Sequence, residues 1–133
     1  VRARFFLLPA LLLYALAGCK HDAGTAPLCY SGVVLNYDCT AGLLIQVDSQ
    51  HPIGKSLYPP ASSYADSLGS DNVIAAVNLL RSSNKCAQRI YFTYENDPKR
   101  QAPDNACPFL GPSRNPAPRL VLGNVSTTPC ALP

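Results

Sequence analysis

Arg89-Ile90-Tyr91-Phe92-Thr93-Tyr94-Glu95 decides the fold class. Ile90, Phe92 and Tyr94 fall on one face and the residues between them on the other, which is the period of two of a half-buried strand. Asn96-Asp97-Pro98 ends it with turn chemistry. The same alternation recurs upstream. Ser31 to Tyr37 places Val33, Leu35 and Tyr37 on one face. Leu43 to Asp48 places Leu43, Ile45 and Val47 on one side, with Gln46 and Asp48 on the other. Asp38 to Gly42 lies between these runs as a turn-like stretch, so the pair predicts a β-hairpin.

Ser49 to Ser70 is a connection rich in Pro, Ser and Gly, with a short helical turn expected near Ser62 to Leu68. Val73 to Leu80 follows, with Val73, Ala75, Val77 and Leu79 on one face. Its alanines would allow a helix. The break at Asp71-Asn72 and the β-branched pair Val73-Ile74 favour a strand. Pro98 to Pro118 carries six of the thirteen prolines and reads as a long irregular loop. Loops of that length are uncommon unless tied down or functional, and Cys107 is the candidate tie. Leu120 to Ser126 is the last strand, with Leu120 and Leu122 on one side and Val121 and Val125 on the other. There is no internal repeat.

Five strands, with one long connection and one long loop, predict an all-β domain. The pattern resembles the OB-fold, a small five-stranded barrel; a small β-sandwich is the alternative.

The N-terminus carries a separate signal. Arg2 and Arg4 form a short basic region, and Phe5 to Ala15 an apolar one interrupted only by Pro9. A membrane span needs about 20 apolar residues; this run is shorter and meets Lys20, His21 and Asp22 at once. It reads as a removable export signal, a signal helix in form. Leu16-Ala17-Gly18-Cys19 resembles the lipobox of bacterial lipoproteins. The resemblance implies cleavage before Cys19 and acylation of its sulfur and new amine, including a palmitate-type chain. Acylated Cys19 then holds the protein to a membrane, and several chains are what stable anchoring requires. The expected organisation is residues 1–18 as signal peptide, 19–27 as lipidated tether and 28–133 as the β domain. A flexible tether of that length spans about 15 Å and reaches roughly 30 Å fully extended. Lys20 is not the Asp that retains enterobacterial lipoproteins in the inner membrane. Lys20-His21-Asp22 is loosely similar to export signals of some Bacteroidota lipoproteins. Both point to the outer membrane, facing the periplasm or the surface.

The chain is +3 overall, and loss of Arg2 and Arg4 leaves about +1, which argues against nucleic acid or an anionic surface as partner. With Cys19 lipidated, Cys29, Cys39, Cys86, Cys107 and Cys130 remain. In an exported chain they read as two disulfides and one free thiol. They are too dispersed for a zinc site, which uses close pairs. Cys29 and Cys39 flank one strand, roughly 30 Å apart at ~3.3 Å per residue, whereas a disulfide needs Cα atoms within about 7 Å. They should not pair. On the OB resemblance, Cys29 is expected to pair with Cys107, with one further bridge among Cys39, Cys86 and Cys130.

Chemistry is sparse. His51 sits before Pro52 with no partner in reach along the chain. There is no G-x-S-x-G, P-loop or G-x-G-x-x-G, and no C-x-x-C. Glu95, Asp97 and Asp104 lack the dense spacing of a calcium loop. Asn124-Val125-Ser126 matches a glycosylation pattern that carries little weight in a bacterial lipoprotein. Asp66-Ser67-Leu68 is similar to a short O-glycosylation motif of some Bacteroidota. OB-folds bind through strands two and three, but Leu43 to Asp48 and Val73 to Leu80 hold no aromatic residue. Tyr30, Tyr37, Tyr91 and Tyr94 lie on strands one and four instead, and are candidates for a stacking patch or for core residues with hydroxyls at the rim. The expectation is a monomeric, non-enzymatic envelope lipoprotein without cofactor or metal, which binds an envelope protein or glycan. The alternatives are a thiol-based redox factor or enzyme and a purely structural lipoprotein.

Overall fold

The computed structural model describes residues 28–57, 71–79, 84–108, 111 and 114–130. The signal segment, Cys19, the tether, the helical turn expected at Ser62 to Leu68 and the motif at Asp66 lie outside them. All regular structure among the described residues is β. The strands are β1 (Tyr30–Asp38), β2 (Gly42–Val47), β3 (Val73–Ala76), β4 (Arg89–Glu95) and β5 (Arg119–Ser126). They close into a barrel in the order β1-β2-β3-β5-β4, with β4 returning to β1. Every pairing is antiparallel except β3 with β5. This is the OB-type architecture expected, and it excludes the sandwich.

Alternation builds the core. Val34, Ile45, Ile74, Ile90, Phe92 and Leu122 point inward and are almost fully buried. Each large side chain so buried contributes about 1.5–3 kcal/mol. The β4 face of Ile90, Phe92 and Tyr94 and the β2 face of Leu43, Ile45 and Val47 are as read from the sequence. The β1 face is not. Val34 opposes Ile45 and Tyr37 opposes Leu43, so β1 holds one extra residue between them. This bulge puts Val34 and Tyr37 with the interior cluster and Leu35 in the other one. Three successive apolar residues, Val33 to Leu35, hide it from periodicity. β5 bulges likewise opposite Tyr91 and Thr93; Asn124 takes a positive φ of 50° there, and Val125 is exposed.

β3 is a strand but stops at Ala76, four residues short of the predicted end. Asn78 explains the stop. Its side-chain amide donates to the Leu122 carbonyl (2.7 Å) and its oxygen accepts from the Leu122 N–H (2.8 Å). A side chain thus extends the ladder to β5 where the backbone has left it.

Both faces of β2 and β3 are buried. A second cluster of Leu35, Leu44, Val73 and Ala75 lies on their outer face, with Ala41 from the hairpin turn, Leu57 from the β2–β3 connection and Ala117 from the β4–β5 loop. Gly42 permits this close fit. It has φ 114°, and a Cβ there would stand 2.4 Å from the Ala76 carbonyl oxygen, so no other residue enters without a shift.

The disulfides are Cys29–Cys130 and Cys39–Cys107, with Cα separations of 6.2 and 5.3 Å, and Cys86 is a free, exposed thiol. Cys29 and Cys39 are unpaired with each other, as expected. The predicted Cys29–Cys107 bridge is wrong, and so is a bridge within Cys39, Cys86 and Cys130. Stagger around the barrel is the reason. β4 covers only the first half of β1, from Tyr30↔Phe92 to Val33↔Arg89. The second half of β1 runs on with β2 alone to Asp38↔Gly42. That tip stands beside the end of β3, through Leu43↔Ala76, and β5 enters there, through Ala76↔Leu120. The loop leading into β5 therefore meets Cys39. β5 ends with Ser126 opposite Tyr91, whose other neighbour is Ser31, so the chain beyond β5 returns to Cys29.

Candidate functional site

The two loops after β1 and β4, which an OB-fold ordinarily uses to hold a ligand, are sewn together here. Besides Cys39–Cys107, the Cys107 N–H donates to the Cys39 carbonyl (3.1 Å). The Tyr37 hydroxyl donates to the Asn105 carbonyl (2.8 Å). Asp38 organises the turn: its Oδ1 accepts from the Thr40 N–H (2.8 Å), the Thr40 hydroxyl (2.7 Å) and the Ala41 N–H (3.2 Å). Burial opposes the charge on Asp38, but the hydrogen bonds from Thr40, Asn115 and Ala41 outweigh it and hold the carboxyl below its ordinary pKa. Asn115 belongs to the long loop, so Asp38 also bridges both segments. Burial, with the nearby carboxylates of Asp104 and Asp38, raises the Tyr37 hydroxyl. The outer face of β2 and β3 lies under this seam, filled by the second cluster.

The four candidate tyrosines do not form one patch. Tyr30 and Tyr94 meet edge-on at 4.9 Å between ring centroids; Tyr30 stacks at 6.0 Å on Phe92 and meets His51 edge-on at 5.1 Å. Tyr30, Tyr37 and Tyr94 pack against the barrel core. Burial and a hydrogen bond with Tyr94 raise the Tyr30 hydroxyl. Tyr37 belongs to the seam, and Tyr91 lies between Ser31 and Ser126 in the sheet. Asp97 and Asp104 serve their own loop: Asp97 accepts from the Lys99 N–H (2.8 Å) and Asp104 pairs with Arg100 (3.0 Å). Among the described residues no group of three or more His, Cys, Asp or Glu is placed to hold a metal ion.

An open cleft of about 300 Å³ lies elsewhere on the barrel, lined by Val33, Gln46, Val47, Asp48, Ser49, Asp71, Asn72 and Arg89. Arg89 opens β4 opposite Val33 of β1, and its Nη1 pairs with Asp48 Oδ2 at 2.7 Å. The Ser31 hydroxyl donates to the same oxygen. Burial works against the charge on Asp48, but Ser31 and Arg89 prevail and lower its pKa. One wall is fixed by Asn72, which has a positive φ of 52°. Its amide nitrogen donates to the carbonyls of Val47 (3.0 Å), Asp48 (3.1 Å) and His51 (2.9 Å), and its oxygen accepts from the Gly54 N–H (2.8 Å). Gly54 is needed there, since a Cβ would lie 2.3 Å from the Asn72 carbonyl carbon.

None of these lining residues stands out in the sequence as a site. The usable signal is narrow: Gln46 and Asp48 fall on the polar side of β2, and Arg89 heads the clearest strand. Joining them requires the β1–β4 register, which no local pattern carries. No family model matches the chain, and no curated protein matches it in sequence.

Proposed function

We propose that this chain is an exported lipoprotein, held to a bacterial outer membrane by acylated Cys19, with a small monomeric barrel that works as a non-enzymatic binding module close to that membrane. The observation that carries this reading is the pair of disulfides behind the Leu16-Ala17-Gly18-Cys19 motif. Disulfides persist in oxidising, extracytoplasmic compartments, and the motif supplies both a route there and an anchor. Among the described residues the barrel carries an open polar cleft, whereas the usual OB surface is filled by the chain's own side chains.

Metabolic labelling with an alkyne fatty acid tests the anchor in the full chain made in a bacterial host. Wild type is expected to take up label and sediment with membranes, and Cys19→Ser to do neither; equal labelling of both would refute the anchor. Crosslinking in intact membranes tests the binding module, which predicts a discrete crosslinked partner. The thiol-based alternative would act through Cys86, the exposed free cysteine. Cys86→Ser is expected to leave the crosslinked product unchanged, and its loss would favour that alternative.

A further inference from the structure

We infer that the cleft between Asp48 and Arg89 is a binding site for a neutral polyhydroxylated group, the chemistry of an uncharged glycan. The inference deepens the binding-module reading and rests on it.

The paired charges of the wall favour an uncharged ligand. Arg89 and Asp48 stand 2.7 Å apart in one ion pair on the cleft wall, and Asp71 adds a second carboxylate on the lining. An anionic ligand would face Asp48 and Asp71, and a cationic one would face Arg89. Each would meet a like charge at close range, which weakens its binding. A hydroxyl group suffers neither penalty, because it both donates and accepts. Neighbouring hydroxyls on a sugar ring match a wall where a guanidinium and a carboxylate sit side by side.

Capacity for such bonds remains. The Arg89 contact to Asp48 uses one of five guanidinium donors. Ser31 and Arg89 both reach Oδ2 of Asp48, and a carboxylate offers about four acceptor sites. Both side chains are open to solvent, at 48% for Arg89 and 34% for Asp48. They are also held in place before any ligand arrives: Asp48 by Ser31, and the turn beyond it by Asn72. Preorganisation of this kind lowers the ordering cost of binding. Val33 supplies an apolar contact for the C–H face of a ring. A volume of about 300 Å³ is at the lower end for ligand pockets, which limits the occupant to a single ring or a chain terminus.

The test is NMR titration of the isotope-labelled full chain in lipid nanodiscs. The neutral probes are maltotriose, mannotriose and chitotriose; the charged comparators are trilysine and trigalacturonate. At least one neutral trisaccharide is expected to shift the amides of Val33, Gln46, Asp48 and Arg89. Arg89→Ala is expected to weaken that binding at least tenfold, and Arg89→Lys to weaken it comparably, since it keeps the charge and loses the fork. Unchanged thermal unfolding of both variants would show that the fold survives. Silence of all three neutral sugars, shifts confined to another surface, or tighter binding of a charged comparator would each overturn the inference. A partner crosslinked through a different face would leave the binding module standing while the cleft assignment fails.

Discussion

The seam between the hairpin tip and the long loop, and the cleft beside Asp48, use the same barrel in opposite ways. At the seam, Cys39–Cys107, Tyr37 and Asp38 bind two loops together over an apolar outer face. At the cleft, an ion pair and a few hydrogen bonds hold polar side chains that stay open to water. In an OB-type barrel the first region is where ligands ordinarily sit. Here it acts as a second core, and the open polar cleft lies at the far end of β2, where Gln46, Val47 and Asp48 meet Val33, Arg89 and the residues just before β3. Fold alone therefore misdirects the search for the site; the distribution of covered and open side chains redirects it.

The comparison breaks first at the disulfide. Cys39→Ser with Cys107→Ser removes a crosslink spanning 68 residues and is expected to cost about 4 kcal/mol in the chain-entropy view, read by denaturant unfolding. The cleft should keep its shape in any molecules still folded. Leu44→Ala comes next. Leu44 is 2% exposed on the outer face, so its truncation should cost about 2–4 kcal/mol if that face is true core; Val33→Ala at the cleft should cost less than 1 kcal/mol. Equal effects would erase the distinction between the two regions.

Acid separates the regions more gently. Asp38 at the seam and Asp48 at the cleft both have folded pKa values below their ordinary ones. Their contribution is fully present above the unfolded pKa of about 3.9 and is lost as pH falls through the folded values. Thermal unfolding followed from pH 6 to pH 2 should show a decline below about pH 4. Asp38→Asn should flatten that decline more than Asp48→Asn, because Asp38 collects more hydrogen bonds and Asp48 is partly screened by solvent. The smallest stability effect belongs to Arg89→Ala, expected to cost under about 1 kcal/mol for an exposed pair. A larger loss would make the ion pair structural and weaken its part in recognition.

Strand identity was legible wherever apolar and polar residues alternate cleanly. β4 is read to the residue, from Arg89 to Glu95, and β2 by its inward face. The hairpin and the closed five-strand barrel followed from those elements and the turn between them. The bulges were not legible, because Val33-Val34-Leu35 is apolar throughout and Asn124 carries no mark of its φ. The disulfide map failed for a related reason. Pairing cysteines across strands needs the stagger of each strand on its neighbour, and that is set by the closure of the whole barrel rather than by any segment. The cleft was illegible on the same ground: Asp48 and Arg89 are 41 residues apart in the chain and meet only through register. Asn72, the residue that fixes the cleft wall, reads in the sequence as an ordinary turn asparagine.

Non-reducing peptide mapping of the protein isolated from membranes tests the central claim most directly, since the seam, the filled outer face and the displaced cleft all depend on one register. It is expected to yield Cys29 joined to Cys130, Cys39 joined to Cys107, and Cys86 alkylated as a free thiol. Cys29 joined to Cys107, or Cys39 joined to Cys86 or Cys130, would contradict it.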